Sequence, residues 1–171
     1  MLVVQTHAQF SDANLVAGGL TCSMCSKAIY KALIKIPFID NVITDIKTTS
    51  YHINFKDTII NPDQLRIAVE DAGFTVLSLV VSAEIKQVKI EKDTHIRLQE
   101  KTFHFLNAEP AIINGTVQLQ IVDKDFVSEK MYKSFKTATT MNCYETGKMA
   151  SCCNADQSQM GERIYHVILL K

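Results

Sequence analysis

The sequence predicts an α+β protein: a βαββαβ unit over residues 12–82, followed by a small β-rich unit over residues 84–171, with a barrel as one form that unit could take. Three observations carry this. Apolar spacing alternates between a two-residue period and one of about 3.6 residues. Capping and breaking residues stand where those patterns change. After Ala83 the texture turns to short β-type runs. The 171 residues allow one large domain or two small ones. A content of 47% hydrophobic and 21% charged residues is ordinary for a globular chain able to bury a core. Zero formal net charge and the lack of a basic block argue against nucleic acid as a partner. No apolar run reaches the ~18 residues of a membrane span.

The elements follow in order. Residues 13–17, "ANLVA", read as a short strand and Gly18-Gly19 as a loop. From Ser23 to Ile36, the residues Ala28, Ile29, Ala32, Leu33 and Ile36 recur at helical spacing, with Thr21 or Ser23 as cap and Pro37 as terminator. "DNVITDIK" and "YHINF" alternate as two strands around a Thr48–Ser50 turn. Asn61-Pro62 starts a second helix, whose apolar stripe is Leu65, Ala68, Val69 and Ala72 and whose end is Gly73. "FTVLSLVVSA" closes the unit as an apolar strand. This order fits the ferredoxin-like split βαβ arrangement, two helices over one face of a four-stranded antiparallel sheet. Beyond it, "KQVKI", "HIRLQ", "TFHFLN" and "TVQLQIV" read as strands separated by turn signals at Lys92-Asp93, Glu109-Pro110 and Asn114-Gly115. Phe126 to Lys136 reads as a short helix, residues 138–162 as a loop and "RIYHVILL" as a closing strand.

Residues 1–11 read as a leader remnant or a frayed end. Leu2 to Val4, then Thr6-His7-Ala8, is similar to the tail of a secretory signal with cleavage after Ala8. On that reading the protein works in the periplasm or another extracytoplasmic, oxidising compartment; the alternative is cytoplasmic.

The five cysteines fall in two groups, Cys22 and Cys25 near one end and Cys143, Cys152 and Cys153 near the other. The clustering argues against a distributed disulfide framework. A CxxC where a loop meets a helix start has a direct chemical use. Unsatisfied amides and the helix dipole favour thiolate there. Paired thiolates select Cu(I), Zn(II) and other thiophilic ions, Hg(II) and Cd(II) included. Structural zinc wants four ligands, and no second CxxC lies in the first 80 residues. Met24 could add a thioether or face solvent. Lys27, Lys31 and Lys35, at i, i+4 and i+8, form either a docking stripe for an acidic metal-exchange partner or a solvated face.

"GGLTCSMCSKAIYKAL", followed by "DNVITDI", "YHINF" and "IAVEDAGFTV", resembles the heavy-metal-associated domain of copper chaperones, copper-pumping P-type ATPases and mercury-binding periplasmic proteins. The resemblance covers about residues 12–82. It implies that Cys22 and Cys25 are metal ligands, with Thr21 just before the first and Phe74 an apolar neighbour of the metal loop. Leu20 and Phe38 depart from the family, which usually has Met and Gly there.

The implied function is binding of a thiophilic ion, Cu(I) foremost, for trafficking, buffering or detoxification, without catalysis. Two other readings stand beside it. In one, the first unit is an interaction or sensing module and the second binds a ligand or partner. In the other, the CxxC is a thiol-disulfide couple, against which stand the element order and the absence of Trp. Cys143, Cys152 and Cys153, with Met141, Met149 and Met160 nearby, form a candidate second soft-metal site or a loop pinned by a disulfide. His7, His52, His95, His104 and His166 are scattered without ligand spacing; His104 and His166 read as structural.

Overall fold

The computed structural model describes residues 8–153 and 159–170. Most of the leader-like stretch thus lies outside the described residues. Ala8 is fully buried and its carbonyl accepts from the Gln99 side-chain amide. Strand β1, Gln9–Gly18, starts four residues before the expected one, so residues 9–11 are sheet. Helix α1 (Ser23–Leu33), β2 (Ile39–Asp45), β3 (Ser50–Phe55), α2 (Pro62–Asp71) and β4 (Thr75–Ile90) follow in the expected order. The strand order β2-β3-β1-β4 with antiparallel pairing is ferredoxin-like.

β4 does not stop at Ala83. It runs for 16 residues, so the boundary expected at 83/84 falls inside a continuous strand. From Leu79 to Ile90 it pairs with β7 (Ala111–Ile121), which pairs with β8 (Ile164–Leu170). β8 pairs in parallel with β6 (Lys101–Phe105), and β6 with β5 (Thr94–Leu98). The result is one open eight-stranded sheet, β2-β3-β1-β4-β7-β8-β6-β5, rather than a barrel. Closure fails because β2 and β5 remain separate edges, four places from the junction of β4 and β7 on either side. Asn114-Gly115, read as a turn, lies within β7. Opposite it, Lys86 and Gln87 bulge out of β4, two residues facing one, with Gln87 at φ 50°. "KQVKI" is therefore the far half of β4, and the bulge absorbs what reads locally as a break.

Alternation along each strand separates two faces. On one, Leu15, Tyr51, Leu79, Ile121 and Val167 form a row across paired strands. Ile29 and Leu33 of α1 and Leu65 and Val69 of α2 join them in the main core. The helices thus cover this face, as expected. The opposite face carries His95, His104 and His166 in register on β5, β6 and β8. Residues 122–153 and 159–163 cover it, with α3 (Glu129–Lys136), the one-turn α4 (Cys143–Thr146) and a 3-10 turn, Ser151–Cys153. Two small cores form beneath, one of Leu106, Val122, Val127 and Tyr144, the other of Cys143, Met149, Cys153 and Ile164. The region expected as a loop is held down because Tyr144 donates to the Val122 carbonyl at 2.8 Å.

Arg163 ties the layers together. It pairs with Asp63 of α2 at 3.0 Å and with Asp123 at 3.1 Å, and Tyr165 donates to Asp63 at 2.9 Å. No helix among the described residues is long and apolar enough to cross a membrane.

Candidate metal centre

Gly18 and Gly19 lead from β1 into the cysteine loop. Gly18 is tightly placed: a Cβ there would lie 3.0 Å from the Leu77 and Thr75 side chains, which would have to shift. Gly19 has φ +84°, which favours glycine, and Phe74 sits beside it, as the resemblance implies. Leu20 is partly buried against the core and anchors the loop.

The N-cap of α1 is Cys22 itself, in extended backbone, with no side-chain cap. Neither Thr21 nor Ser23 fills that role, and the Cys25 and Ser26 amides donate to the Cys22 carbonyl. The Cys22 and Cys25 sulfurs are 3.4 Å apart, and the Thr21 hydroxyl is 3.8 Å from Cys25. Both are free thiols, Cys22 exposed and Cys25 half-buried. The Cys25 thiol is lowered from 9.0 to about 7, chiefly by the Thr21 backbone, then by the Cys22 side chain and the Thr21 hydroxyl. Met24 is 79% exposed and points away from the core. Beneath the site, Ser26 is buried and its carbonyl accepts from Tyr51 at 3.5 Å.

Lys27, Lys31 and Lys35 are all exposed, and none is in an ion pair among the described residues. The helical stripe is shorter than expected. α1 ends at Leu33 with Ile34 as C-cap, so Lys35 lies in the following turn.

The second cysteine group comes together as well. Cys143 and Cys153 are buried and Cys152 half-buried, all three free thiols. Their sulfurs lie within 4.8 Å of one another, Cys152 and Cys153 at 3.7 Å. Sequence spacing missed two neighbours. His95 and His104 each place a ring nitrogen within 4.8 Å of the other's and of the Cys143 sulfur. The period-two alternation of "HIRLQ" and "TFHFLN" put each on a definite face, but nothing local told which residues would cover it.

Burial pushes the Cys143 thiol well up. Burial likewise lowers His104 to about 3, assisted by His95 and His166. Nδ1 of His166 is engaged by Asp123 at 2.5 Å, while its buried Nε2 has no hydrogen-bond partner among the described residues.

Residues 16–75 match the family model of the heavy-metal-associated domain. The matched residues lie within the βαββαβ unit, in agreement with the sequence resemblance. A cation-transporting ATPase, HMA5, of Oryza sativa subsp. japonica is 27% identical over 75 residues, 44% of this chain and 8% of the ATPase. The copper-transporting ATPase RAN1 of Arabidopsis thaliana is 30% identical over 57 residues, 33% of this chain and 6% of that one. The chain therefore spans under a tenth of the length of these curated relatives. Among solved structures, the CopZ metallochaperone is 24% identical, covering 39% of this chain and 100% of its own at a TM-score of 0.37. Oxidized MerP from Ralstonia metallidurans CH34 is 26% identical over 46% of this chain and 99% of its own, with a TM-score of 0.36.

Proposed function

We propose that the N-terminal unit captures a thiophilic cation, Cu(I) foremost, between Cys22 and Cys25 and hands it to a partner in trafficking, buffering or detoxification. The observation that carries this reading is the pair of free thiols 3.4 Å apart on an exposed helix tip. An ion ~2.3 Å from each of two sulfurs requires them to lie within ~4.6 Å, so the pair is already in reach of one ion. The match to a heavy-metal-associated model supports metal as cargo, and the copper-transporting relative supports copper. Zn(II) and Hg(II) share the preference for paired thiolates.

The transfer is ligand exchange. A partner thiolate adds to the exposed two-coordinate ion to give a three-coordinate intermediate. The bond to Cys22 or Cys25 then breaks, and the electron pair stays on the departing sulfur. A Cys25 acidity near 7 lets that sulfur leave as thiolate at neutral pH without first finding a proton. Lys27 and Lys31, exposed on the same helix, suit an acidic partner surface.

The test is competition for Cu(I) against a chromophoric chelator under reducing conditions. The wild-type chain should take the ion from the chelator. Cys22→Ser/Cys25→Ser should leave one equivalent more with the chelator than wild type does. An unchanged titration in that variant would refute the assignment.

A further inference from the structure

We propose that Cys143, flanked by His95 and His104 on one side and by Cys152 and Cys153 on the other, is the centre of a second, buried soft-metal site. It lies on the opposite face of the sheet from α1 and shares no residue with the Cys22–Cys25 pair, so it does not rest on the function assigned to that pair.

The donors converge from three separate parts of the chain. His95 and His104 stand directly opposite each other on β5 and β6, their rings stacked at 4.2 Å between centroids. The Cys143 sulfur lies 3.7 Å from Nδ1 of His104. Cys152 and Cys153 arrive from the 3-10 turn beyond α4. Two donors sharing a tetrahedral ion, at metal–nitrogen and metal–sulfur lengths of about 2.0 and 2.3 Å, lie ~3.5–3.8 Å apart. The observed 3.7 Å separations meet that spacing, and donors within 4.8 Å need modest closure.

The surroundings orient these groups as ligands. Asp93 sits in the turn between β4 and β5 at φ 60°, a left-handed conformation that Asp tolerates better than most residues. Its carboxylate is 3.0 Å from Nε2 of His104. A carboxylate there holds the proton on Nε2 and leaves the Nδ1 lone pair toward Cys143, the arrangement in which metal-bound imidazoles are commonly held. Nε2 of His95 is buried without a hydrogen-bond partner among the described residues. Burying an unpaired polar atom costs free energy, which a metal bond would recover. Met149 and Ile164 wall the sulfurs off from water, while the half-buried Cys152 and His95 leave the cluster reachable from the surface.

Imidazole with thiolate suits a d10 cation; Cu(I) and Zn(II) share that donor preference. The test uses the full chain, reduced, with Cu(I) alone in one arm and Zn(II) alone in another, read by native mass spectrometry. In at least one arm the Cys22→Ser/Cys25→Ser chain should keep one equivalent, and adding Cys143→Ser should abolish it. Co(II) as a probe should give that double variant a sulfur-to-cobalt charge-transfer band that His104→Gln alters. His104→Gln and Cys152→Ser serve if Cys143→Ser does not fold, each expected to weaken binding at least tenfold.

No bound ion in the Cys22→Ser/Cys25→Ser chain in either arm would overturn the second site while leaving the first intact. Equal stoichiometry with and without Cys143, His104 and Cys152 would do the same, as would a Cys143 disulfide that persists under reduction. Conversely, a Cys22→Ser/Cys25→Ser chain binding as many ions as wild type would refute the first assignment and spare this one.

Discussion

Alkylation of Cys25 tests the chemistry of the exposed tip directly. With its acidity at about 7 instead of 9.0, about half of Cys25 is thiolate at pH 7, against about 1% for an ordinary thiol. That is a gain of about 50-fold in the reactive form. A less basic thiolate is also a weaker nucleophile, by roughly 8-fold for two pH units at a Brønsted slope of ~0.45. Net alkylation by iodoacetamide at pH 7 should therefore run about 6-fold faster than at an unperturbed cysteine, with half-maximal rate near pH 7. The assay is pulse alkylation of the metal-free, reduced full chain across pH 5–10, with site-resolved mass spectrometry. Because the Thr21 backbone is the leading cause, Thr21→Ala should raise the midpoint only part of the way toward 9. Cys22→Ser should keep part of the effect as well, since a hydroxyl can still donate to Cys25. A wild-type midpoint at 8.5 or above would refute the view that the tip stabilises thiolate.

Three further outcomes follow from packing and charge. Leu33→Ala empties a fully buried site between α1 and the sheet and should cost about 2–5 kcal/mol in chemical denaturation, leaving the thiol chemistry of Cys25 largely intact. Asn61→Ala removes the cap that accepts from the Asp63 amide at 3.1 Å and should cost about 1 kcal/mol by the same measurement. His104, lowered from 6.5 to about 3, makes the folded chain hold fewer protons than the unfolded chain between those values. Stability therefore rises with pH across that window and is lost as pH falls from about 6.5 toward 3. Its slope is at most about 1.4 kcal/mol per pH unit from this residue. His104→Gln should flatten the urea midpoint's dependence on pH in that range, and an unchanged slope would show that His104 does not contribute.

What could be read along the chain was what short-range physics sets. Pro37 after an apolar helical stripe, Asn61-Pro62 at a helix start and the alternation of "YHINF" act over a few residues. The ferredoxin-like order and the presentation of Cys22 and Cys25 at a helix start follow from them. Helix ends were less legible. Ser23 looks like a cap, yet Cys22 takes the position because the extended strand-to-helix loop places its backbone there.

The tertiary structure decided how the two halves join and what the second half buries. Asn114-Gly115 has the local signature of a turn, but sixteen residues of β4 offer a longer ladder, and a two-residue bulge is a smaller loss than breaking it. The imidazoles of His95 and His104 meet Cys143 across 39 or more positions of sequence, because residues between Val122 and Cys153 cover the second face of β6 and β8. Periodicity encodes which face a side chain takes. It does not encode which distant segment comes to lie on that face, because that choice belongs to burial of the whole sheet.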